Sequence, residues 1–405
     1  LTSSSRRKRK KLLRILKNKR VLLGITGGVA AYKSIDLARR LKDEGASVVV
    51  AMTEAAKQFV TPLSLEVASQ NKVYTSLFDE PIAHISLPAN TDVMVIAPAT
   101  ANTIAKFARG IADDLLSTCF LSYRGRVVIA PAMNWRMYEN RIFRENLERL
   151  LSLGVVQVGP EIGDLACREE GIGRMAETAE IIEAVQSALT EKDLSGEKIV
   201  ITAGPTREYL DPVRFISNRS SGKMGFALAK AARNRGADVT LISGPSSLKS
   251  PGGTAFVQVQ TSAEMMEAVK KAVGVDTTVL IMAAAVADFS PASTSNTKIE
   301  KTGEMNIQLR PTEDIISTVA AFEKRPFIIG FAAETGDNVS RAEGKMKTKK
   351  MDMIVFNDVT EPGAGFDVDT NRVVIIDKKG KTALELTGKD SVSDTILDRL
   401  LEIKA

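Results

Sequence analysis

Short apolar runs recur along the whole chain, and many are followed by a stretch with helical spacing. Val21–Ile25 is the first, and it ends in Thr26-Gly27-Gly28. Ser34–Glu44 follows, with Ile35, Ala38 and Leu41 at helical intervals and Gly45 as a C-cap. Ser47–Met52, Asp92–Ala97 and Arg126–Ala130 read as further strands, with a helix around Ile104–Leu121 between the last two. Runs such as Val93-Met94-Val95-Ile96-Ala97 are apolar at every position, as in strands covered on both faces. Strands separated by helices imply right-handed crossovers and a parallel sheet.

The pattern breaks at a polar stretch over 191–197 and then restarts. Ile199–Thr202, Val239–Ser243, Val279–Ala284, Phe327–Phe331 and Met353–Phe356 read as strands, and Gly225–Gly236 as a helix. Val373–Ile376 and Ala383–Leu386 flank Lys378-Lys379-Gly380-Lys381, a hairpin signal. The expected fold class is α/β: two Rossmann-like three-layer domains, the second with a mostly parallel sheet plus a C-terminal hairpin. The expected boundaries are a disordered basic tail over 1–19, a first domain over 20–190, a linker over 191–197 and a second domain over 198–405.

A chain of 405 residues is long enough for two cores. No apolar run approaches the ~18 residues of a membrane span, so no membrane partner is expected. The net charge of +6 comes from the tail: the first twenty residues hold ten Lys and Arg and no acid, leaving the rest slightly acidic. A nucleic-acid footprint needs a basic folded face, so none is expected, and the tail reads as a solvated leader rather than a secretory signal. Two cysteines and one histidine are too few soft ligands for a structural zinc site and make a reducing cytoplasm the default.

In the first half, Gly24-Ile25-Thr26-Gly27-Gly28-Val29-Ala30-Ala31-Tyr32-Lys33 joins a strand to a helix, where backbone can approach an anion. It is either a phosphate cradle or simply a tight turn. It does not meet G-x-G-x-x-G, and no acid ends the second strand at Ala51-Met52-Thr53, so a mononucleotide fits better than a dinucleotide. Ala97-Pro98-Ala99-Thr100-Ala101-Asn102-Thr103 and Pro131-Ala132-Met133-Asn134 each follow a strand, where open α/β sheets bind ligands, although Thr100 and Asn102 are also ordinary capping residues. His84, in a loop, is the sole histidine. Cys119 reads as core. Cys167 lies beside Arg168 in a glycine-bracketed loop suited to a flap.

The segments GGVAAYKS, IAHISL, APATANT, PAMN and ACREEGIGRMAE together resemble the flavin-dependent cysteine decarboxylases. The resemblance implies that fold for the first domain, with FMN held by Thr26, Gly27, Gly28, Val29, Thr53, Thr100, Ala101, Asn102 and Thr103. It makes His84, Asn134 and Cys167 catalytic. One departure is Met137-Tyr138, where the family has Met-Trp. The implied reaction oxidises a cysteine thiol on FMN so that the carboxylate can leave as CO₂. The electrons are then returned with a proton from Cys167, His84 orients the substrate and Asn134 grips the carboxylate.

In the second half, Asp211-Pro212-Val213-Arg214-Phe215-Ile216-Ser217-Asn218-Arg219-Ser220-Ser221-Gly222-Lys223-Met224-Gly225 enters a helix and carries glycines, Lys and Arg, an anion-binding composition. It is not a Walker A loop, since Ser217 and Met224 stand where that motif needs Gly and Ser or Thr. Ala283 to Asp288 end a buried strand in small residues. Lys298-Ile299-Glu300-Lys301 adds charge, and the lysines of 345–350 read as a solvated helix face.

These segments resemble phosphopantothenate–cysteine ligase. The resemblance implies that Asn218 contacts an acyl-cytidylate, that Lys298 is needed for turnover and that Arg214 binds substrate. Gly222 and Lys223 belong to the same anion-binding stretch. The implied CTP site is Met282, Ala283, Ala284, Asp288, Lys298, Glu313, Asp314, Ile315, Ile316, Phe331, Lys345 and Lys349, with Mg²⁺ accompanying the nucleotide and Asp288 a candidate metal ligand. Glu313-Asp314 departs from the family's Asn-Pro-Asp. The order of the halves matches the fused bifunctional enzymes of coenzyme A biosynthesis, whose substrates would be 4'-phosphopantothenate, L-cysteine and CTP. Trimeric flavin domains and dimeric ligase domains, hence a dodecamer, are implied, with FMN at a subunit boundary. The competing readings are a two-domain NAD(P)-binding oxidoreductase and a non-catalytic flavin-binding regulator.

Overall fold

The structure is a computed structural model and describes residues 15–164, 169–301, 303, 305–334, 336, 338–358, 360, 363–365 and 367–404. The chain divides into two compact units, Leu1–Thr190 and Glu191–Ala405.

In the first unit, β1 (Arg20–Ile25), β2 (Ser47–Met52), β3 (Val73–Tyr74), β4 (Val93–Ala99), β5 (Arg126–Pro131) and β6 (Val156–Gln157) form one parallel sheet in the order 3-2-1-4-5-6. A hairpin of β7 (Glu161–Asp164) and β8 (Glu170–Arg174) stands apart from it. β4 is buried at every position, the result expected of a central strand with helices on both faces. One core packs β1, β2 and β4 against the helices Lys33–Asp43 and Thr178–Leu189. The other packs the opposite face against Ala101–Arg109, Leu115–Ser122 and Arg141–Ser152.

The second unit repeats the plan. β9 (Lys198–Ala203) is followed by a small pair, β10 (Arg207–Tyr209) and β11 (Phe215–Ser217). Then come β12 (Asp238–Ser243), β13 (Ala255–Gln258), β14 (Val279–Met282) and a second small pair, β15 (Phe289–Pro291) and β16 (Leu309–Pro311). β17 (Phe327–Glu334), β18 (Met353–Asp358), β19 (Thr370–Asp377) and β20 (Gly380–Gly388) complete it. The main sheet runs 13-12-9-14-17-18-19-20, parallel as far as β18 and antiparallel at β18–β19 and β19–β20. The C-terminal hairpin is therefore part of the main sheet.

Several sequence expectations shift. Leu16, assigned to the basic tail, is fully buried in the first core, and Asn18 donates to Gly45 O at 3.0 Å. Residues 191–197 are not a free linker. Leu194 is fully buried in the second unit, its N–H donates to Arg235 O at 2.9 Å, and Glu197 pairs with Lys404 at 2.6 Å. The helix expected over Ile104–Leu121 is two helices, because Gly110 caps the first in the left-handed region at φ 70° and Asp114 opens the second with a capping box to Ser117. His84 lies on a helix, Ala83–Ala89, rather than in a loop. Cys119 is core as expected, and burial pushes its thiol up to about 12.

Arg235 fastens the entry segment of the second unit. Its guanidinium is 6% exposed and reaches Asp193 at 2.7 Å, Asp398 at 2.9 Å and the Asp394 carbonyl at 3.2 Å. Three acids thus crowd one cation, and burial pushes Asp394 up to about 6 from the ordinary 3.8. A pKa raised by folding contributes stability below pH ~4 that is lost as pH rises through about 6. Asp394→Asn is expected to stabilise the second unit by about 1–3 kcal/mol at pH 7.5 and to leave it nearly unchanged at pH 4. Calorimetric melts at the two pH values check this, and an equal effect at both would refute it.

Candidate active sites

Both pockets lie at the carboxyl ends of the parallel strands, beside the strand where the order reverses, β1 next to β4 and β9 next to β14.

The first is a cleft of about 980 Å³. Three strand-to-helix turns build its walls: 27–33 after β1, 53–55 after β2 and 100–106 after β4. Gly27 is required by close approach, since a Cβ there would sit 2.4 Å from Ala55 Cβ. Gly27, Gly28, Val29, Thr53, Thr100, Ala101, Asn102 and Thr103 all line the cleft. Thr26 does not. It is buried, donates to Pro98 O at 2.7 Å and accepts from Thr100 N at 3.1 Å, so it ties the ends of β1 and β4 together. Thr100 also caps Ala101–Arg109, accepting from Thr103 N, and Thr53 accepts from Ala56 N. Capping and cleft lining coexist because an N-cap side chain stands at the strand end. Cleft charges are paired locally: Lys33 with Glu177 at 3.0 Å, and Lys106 with Asp113 at 2.7 Å and Asp114 at 3.0 Å.

Asn134 lines the cleft and caps the helix Trp135–Glu139, its Oδ1 accepting from Arg136 N at 2.9 Å. Its Nδ2 donates to Glu169 Oε2 at 3.3 Å, and the same carboxylate accepts from Trp135 Nε1 at 2.9 Å and from Arg136 Nη2 at 2.9 Å. Glu169 precedes β8, so one carboxylate fastens the hairpin to the Asn134 turn. The fastening continues at Gly173, whose carbonyl accepts from Met133 N at 3.0 Å; a Cβ on Gly173 would lie 2.0 Å from Met133 O. Cys167 belongs to the segment between β7 and β8 and lies outside the described residues. Sequence reasoning missed Glu169; its signal was an acid flanking the glycine-bracketed flap. At the departure from the family pattern, Tyr138 is buried, packs on Phe143 with ring centres 5.5 Å apart, and accepts from Gln157 Nε2 at 3.0 Å.

His84 is not brought to this cleft within one chain. It is half-buried, and its carbonyl accepts from Ser122 Oγ at 2.7 Å. Its helix begins at Ile82, a β-branched residue held at φ 54°, an uncommon conformation for such a side chain.

The second pocket holds about 540 Å³. Asn218, Gly222, Lys223, Met282, Ala283, Ala284, Asp288, Glu313, Asp314, Ile315, Ile316, Phe331, Lys345 and Lys349 all line it. Gly222, at φ 80°, stands at the start of the helix Lys223–Asn234, and Gly225 lets that helix press on β9: a Cβ there would be 2.5 Å from Ala203 Cβ. Asn218 Nδ2 donates to Val286 O at 2.9 Å. Asp314 caps Ile315–Ala320 and pairs with Lys349 at 2.7 Å. Burial opposes its ionisation, but Lys349 and the Ser317 N–H outweigh that and hold the carboxyl below the usual range. The lysines read as a solvated face therefore include two that line the pocket.

Arg214 and Lys298 are not among the lining residues. Arg214 donates to Ile299 O at 2.7 Å, while Asp211, itself buried, accepts from Arg214 N at 2.8 Å and Ile299 N at 3.1 Å. This clamp fixes the backbone beside Lys298, whose side chain is exposed. Asn371 and Lys389 line the pocket without having been foreseen, and so does Asn357, of the Asn357-Asp358 pair among the segments that resemble the ligase. Lys389 is 6% exposed, donates to Gly365 O at 3.0 Å and to Val368 O, and its ammonium is pushed below the usual range by burial and by Lys223. Among the described residues no cluster of acids, His or Cys forms a metal site.

The family described as Flavoprotein matches residues 9–190, and that described as DNA/pantothenate metabolism flavoprotein C-terminal domain matches residues 194–403. A Vibrio cholerae protein named coenzyme A biosynthesis bifunctional protein CoaBC is 45% identical over 395 residues, covering 96% of this chain and 99% of its own. Its namesakes in Escherichia coli and Bacillus subtilis are each 44% identical, each covering 95% of this chain and 97% of their own. A solved PPC decarboxylase complexed with pantothenoylaminoethenethiol is 32% identical over 42% of this chain and 97% of its own, at a TM-score of 0.38. With two domain matches in tandem and relatives aligned nearly end to end, the chain belongs to the family of coenzyme A biosynthesis bifunctional proteins.

Proposed function

We propose that the second unit joins L-cysteine to 4'-phosphopantothenate at the expense of CTP, and that the first unit decarboxylates the resulting 4'-phosphopantothenoylcysteine to 4'-phosphopantetheine. The observation that carries this reading is that each unit opens a pocket at its sheet reversal, and most of each motif set falls on the pocket of its own unit.

FMN is the group the first cleft would hold. The volume lies in the range of cofactor sites, and the glycine turn at 27–28 with the polar start of Ala101–Arg109 offers backbone donors to a phosphate. When bound, FMN supplies reversible two-electron oxidation of the substrate thiol, which provides the electron sink for loss of CO₂. Asn134, held by Glu169, would orient the substrate carboxylate, and Cys167 would deliver the final proton to carbon. His84 would serve a neighbouring copy. It lies off its own cleft, on a helix whose cap Ile82 and residue Ile85 are exposed, the kind of apolar surface that subunits cover. This supports a trimer of flavin units with FMN at the boundary.

In the ligase step a carboxylate oxygen of 4'-phosphopantothenate attacks the α-phosphorus of CTP, and pyrophosphate leaves. The cysteine amine then attacks the acyl carbon, CMP leaves and the amine loses a proton. Lys223, Lys345 and the helix start at Gly222 would stabilise the phosphates, and Asn218 would hold the acyl-cytidylate. Mg²⁺ would travel with the nucleotide, with Asp288 the exposed carboxylate of the wall nearest in role. Lys298, off its own pocket, would serve a partner's site in a dimer of ligase units, which with the trimers gives a dodecamer. No described helix is long and apolar enough to cross a membrane, and we place the enzyme in the cytoplasm.

Mass spectrometry of products from the protein given 4'-phosphopantothenate, cysteine, CTP and Mg²⁺ tests the whole reading. Phosphopantetheine, CMP and CO₂ are expected; absence of any adduct would overturn it. Lys298→Gln is expected to abolish ligation while leaving decarboxylation of supplied phosphopantothenoylcysteine intact. Cys167→Ser is expected to stop at an oxidised, decarboxylated enethiol detectable by its mass, two hydrogens short of product. Glu169→Ala, which removes the carboxylate shared by Asn134, Trp135 and Arg136, is expected to lower decarboxylation about tenfold or more with flavin absorbance retained. Unchanged turnover would show that the anchoring is dispensable.

A further inference from the structure

Asn357 stands near the carboxyl end of β18, opposite Ala333 of β17 in the parallel register. Alternation along the strand puts it on the face of Met353 and Val355, which share a core with Phe331 and Ala283. The residue is 8% exposed and lines the second pocket. Its carboxamide has no hydrogen-bond partner among the described residues. Neighbouring polar groups behave differently: Thr312 donates to Ala287 O at 2.7 Å and Asn371 Oδ1 accepts from Arg372 N at 3.1 Å. Among the described residues the Asn357 amide is not one of the fully enclosed side-chain groups left without a partner, so it reaches the open space of the pocket, where a ligand or water can meet it.

A carboxamide offers two donors and an acceptor. Phosphates offer acceptors only, and their natural partners are the cations and the helix start elsewhere in this pocket. A group with donor and acceptor side by side matches a carboxamide in full, and the polar edge of a nucleobase is such a group. Phe331, on the same sheet face and also in the pocket wall, gives a flat apolar surface for the ring. We propose that Asn357 reads the edge of the nucleobase and is a specificity-determining residue of the ligase step. With cytosine, Oδ1 accepts from the exocyclic amino group and Nδ2 donates to the ring nitrogen beside it.

The inference rests on the CTP reading above. It is tested by calorimetric titration of the full-length protein, wild type and Asn357→Ala, with CTP and with inorganic tripolyphosphate, each with Mg²⁺. Expected is a CTP affinity about tenfold or more weaker in the variant, with tripolyphosphate binding within about twofold of wild type. Asn357→Ser, which keeps a small polar group, should show the same selective loss, and matching melting temperatures certify the fold. Unchanged CTP binding overturns the proposal, and so does equal weakening of both ligands, which would mark a phosphate contact or a damaged pocket. A rise confined to the KM of phosphopantothenate would also overturn it, since the amide would then read that substrate. Wild-type protein that binds no CTP removes the nucleotide reading itself, an outcome separate from failure of Asn357 alone.

Discussion

In both units the chain leaves the first strand of the sheet to build outward in one direction, then returns beside it to build in the other. β1 lies between β2 and β4, and β9 between β12 and β14. The connections on the two sides of that strand diverge, and the gap between them opens at the carboxyl edge. The reversal works only if backbone comes very close at the turn. Gly27 against Ala55, and Gly225 against Ala203, leave no room for a Cβ. Everything else in the two pockets, from capping threonines to lysines, is hung on these closely packed turns.

The pockets differ in how charge is held. The first pairs Lys33 and Lys106 with neighbouring acids, which leaves a mainly apolar cleft suited to a flat ring system. The second is mixed, with lysines, carboxylates and amides sharing its wall with Met282, Ile315, Ile316 and Phe331. Arg219 and Lys223 meet Asp367 and Asp369 in exposed pairs, and such pairs are weak and screened by salt, so phosphate can take their place. Lys389 is different, because its buried ammonium is committed to backbone carbonyls. It braces Gly365 and Val368 instead of remaining free for an anion.

Positioning is done by groups that do not themselves look chemical. Glu169 gathers Asn134, Trp135 and Arg136 on one carboxylate. Asp211 gathers Arg214 and Ile299 and so sets the course of the segment bearing Lys298. Buried or half-buried acceptors of this kind fix side chains more firmly than exposed pairs, since few alternative partners compete with them.

The alternation of apolar runs and helical stretches determined the fold class, because strands covered on both faces must be apolar throughout and helices between them must cross over. It also placed the main strands within a few residues, brought Gly27, Thr100 and Asn134 to strand ends, and put Asn218 and Lys223 on the entry to a helix. Local signals were enough there, since each lies within a few residues of the strand or helix that positions it. Other facts depended on groups far apart in sequence. Thr26 looked like a ligand contact until its hydroxyl was found between β1 and β4. Leu194 looked like linker until Arg235 drew its segment onto the second core. Asn357 lies near the end of β18 and Lys389 opens the last helix, and only the pairing of β17, β18 and β19 sets them around one pocket. Sequence pattern reports which face a residue shows; which groups meet across that face depends on contacts spanning tens to hundreds of residues, and those are settled by packing.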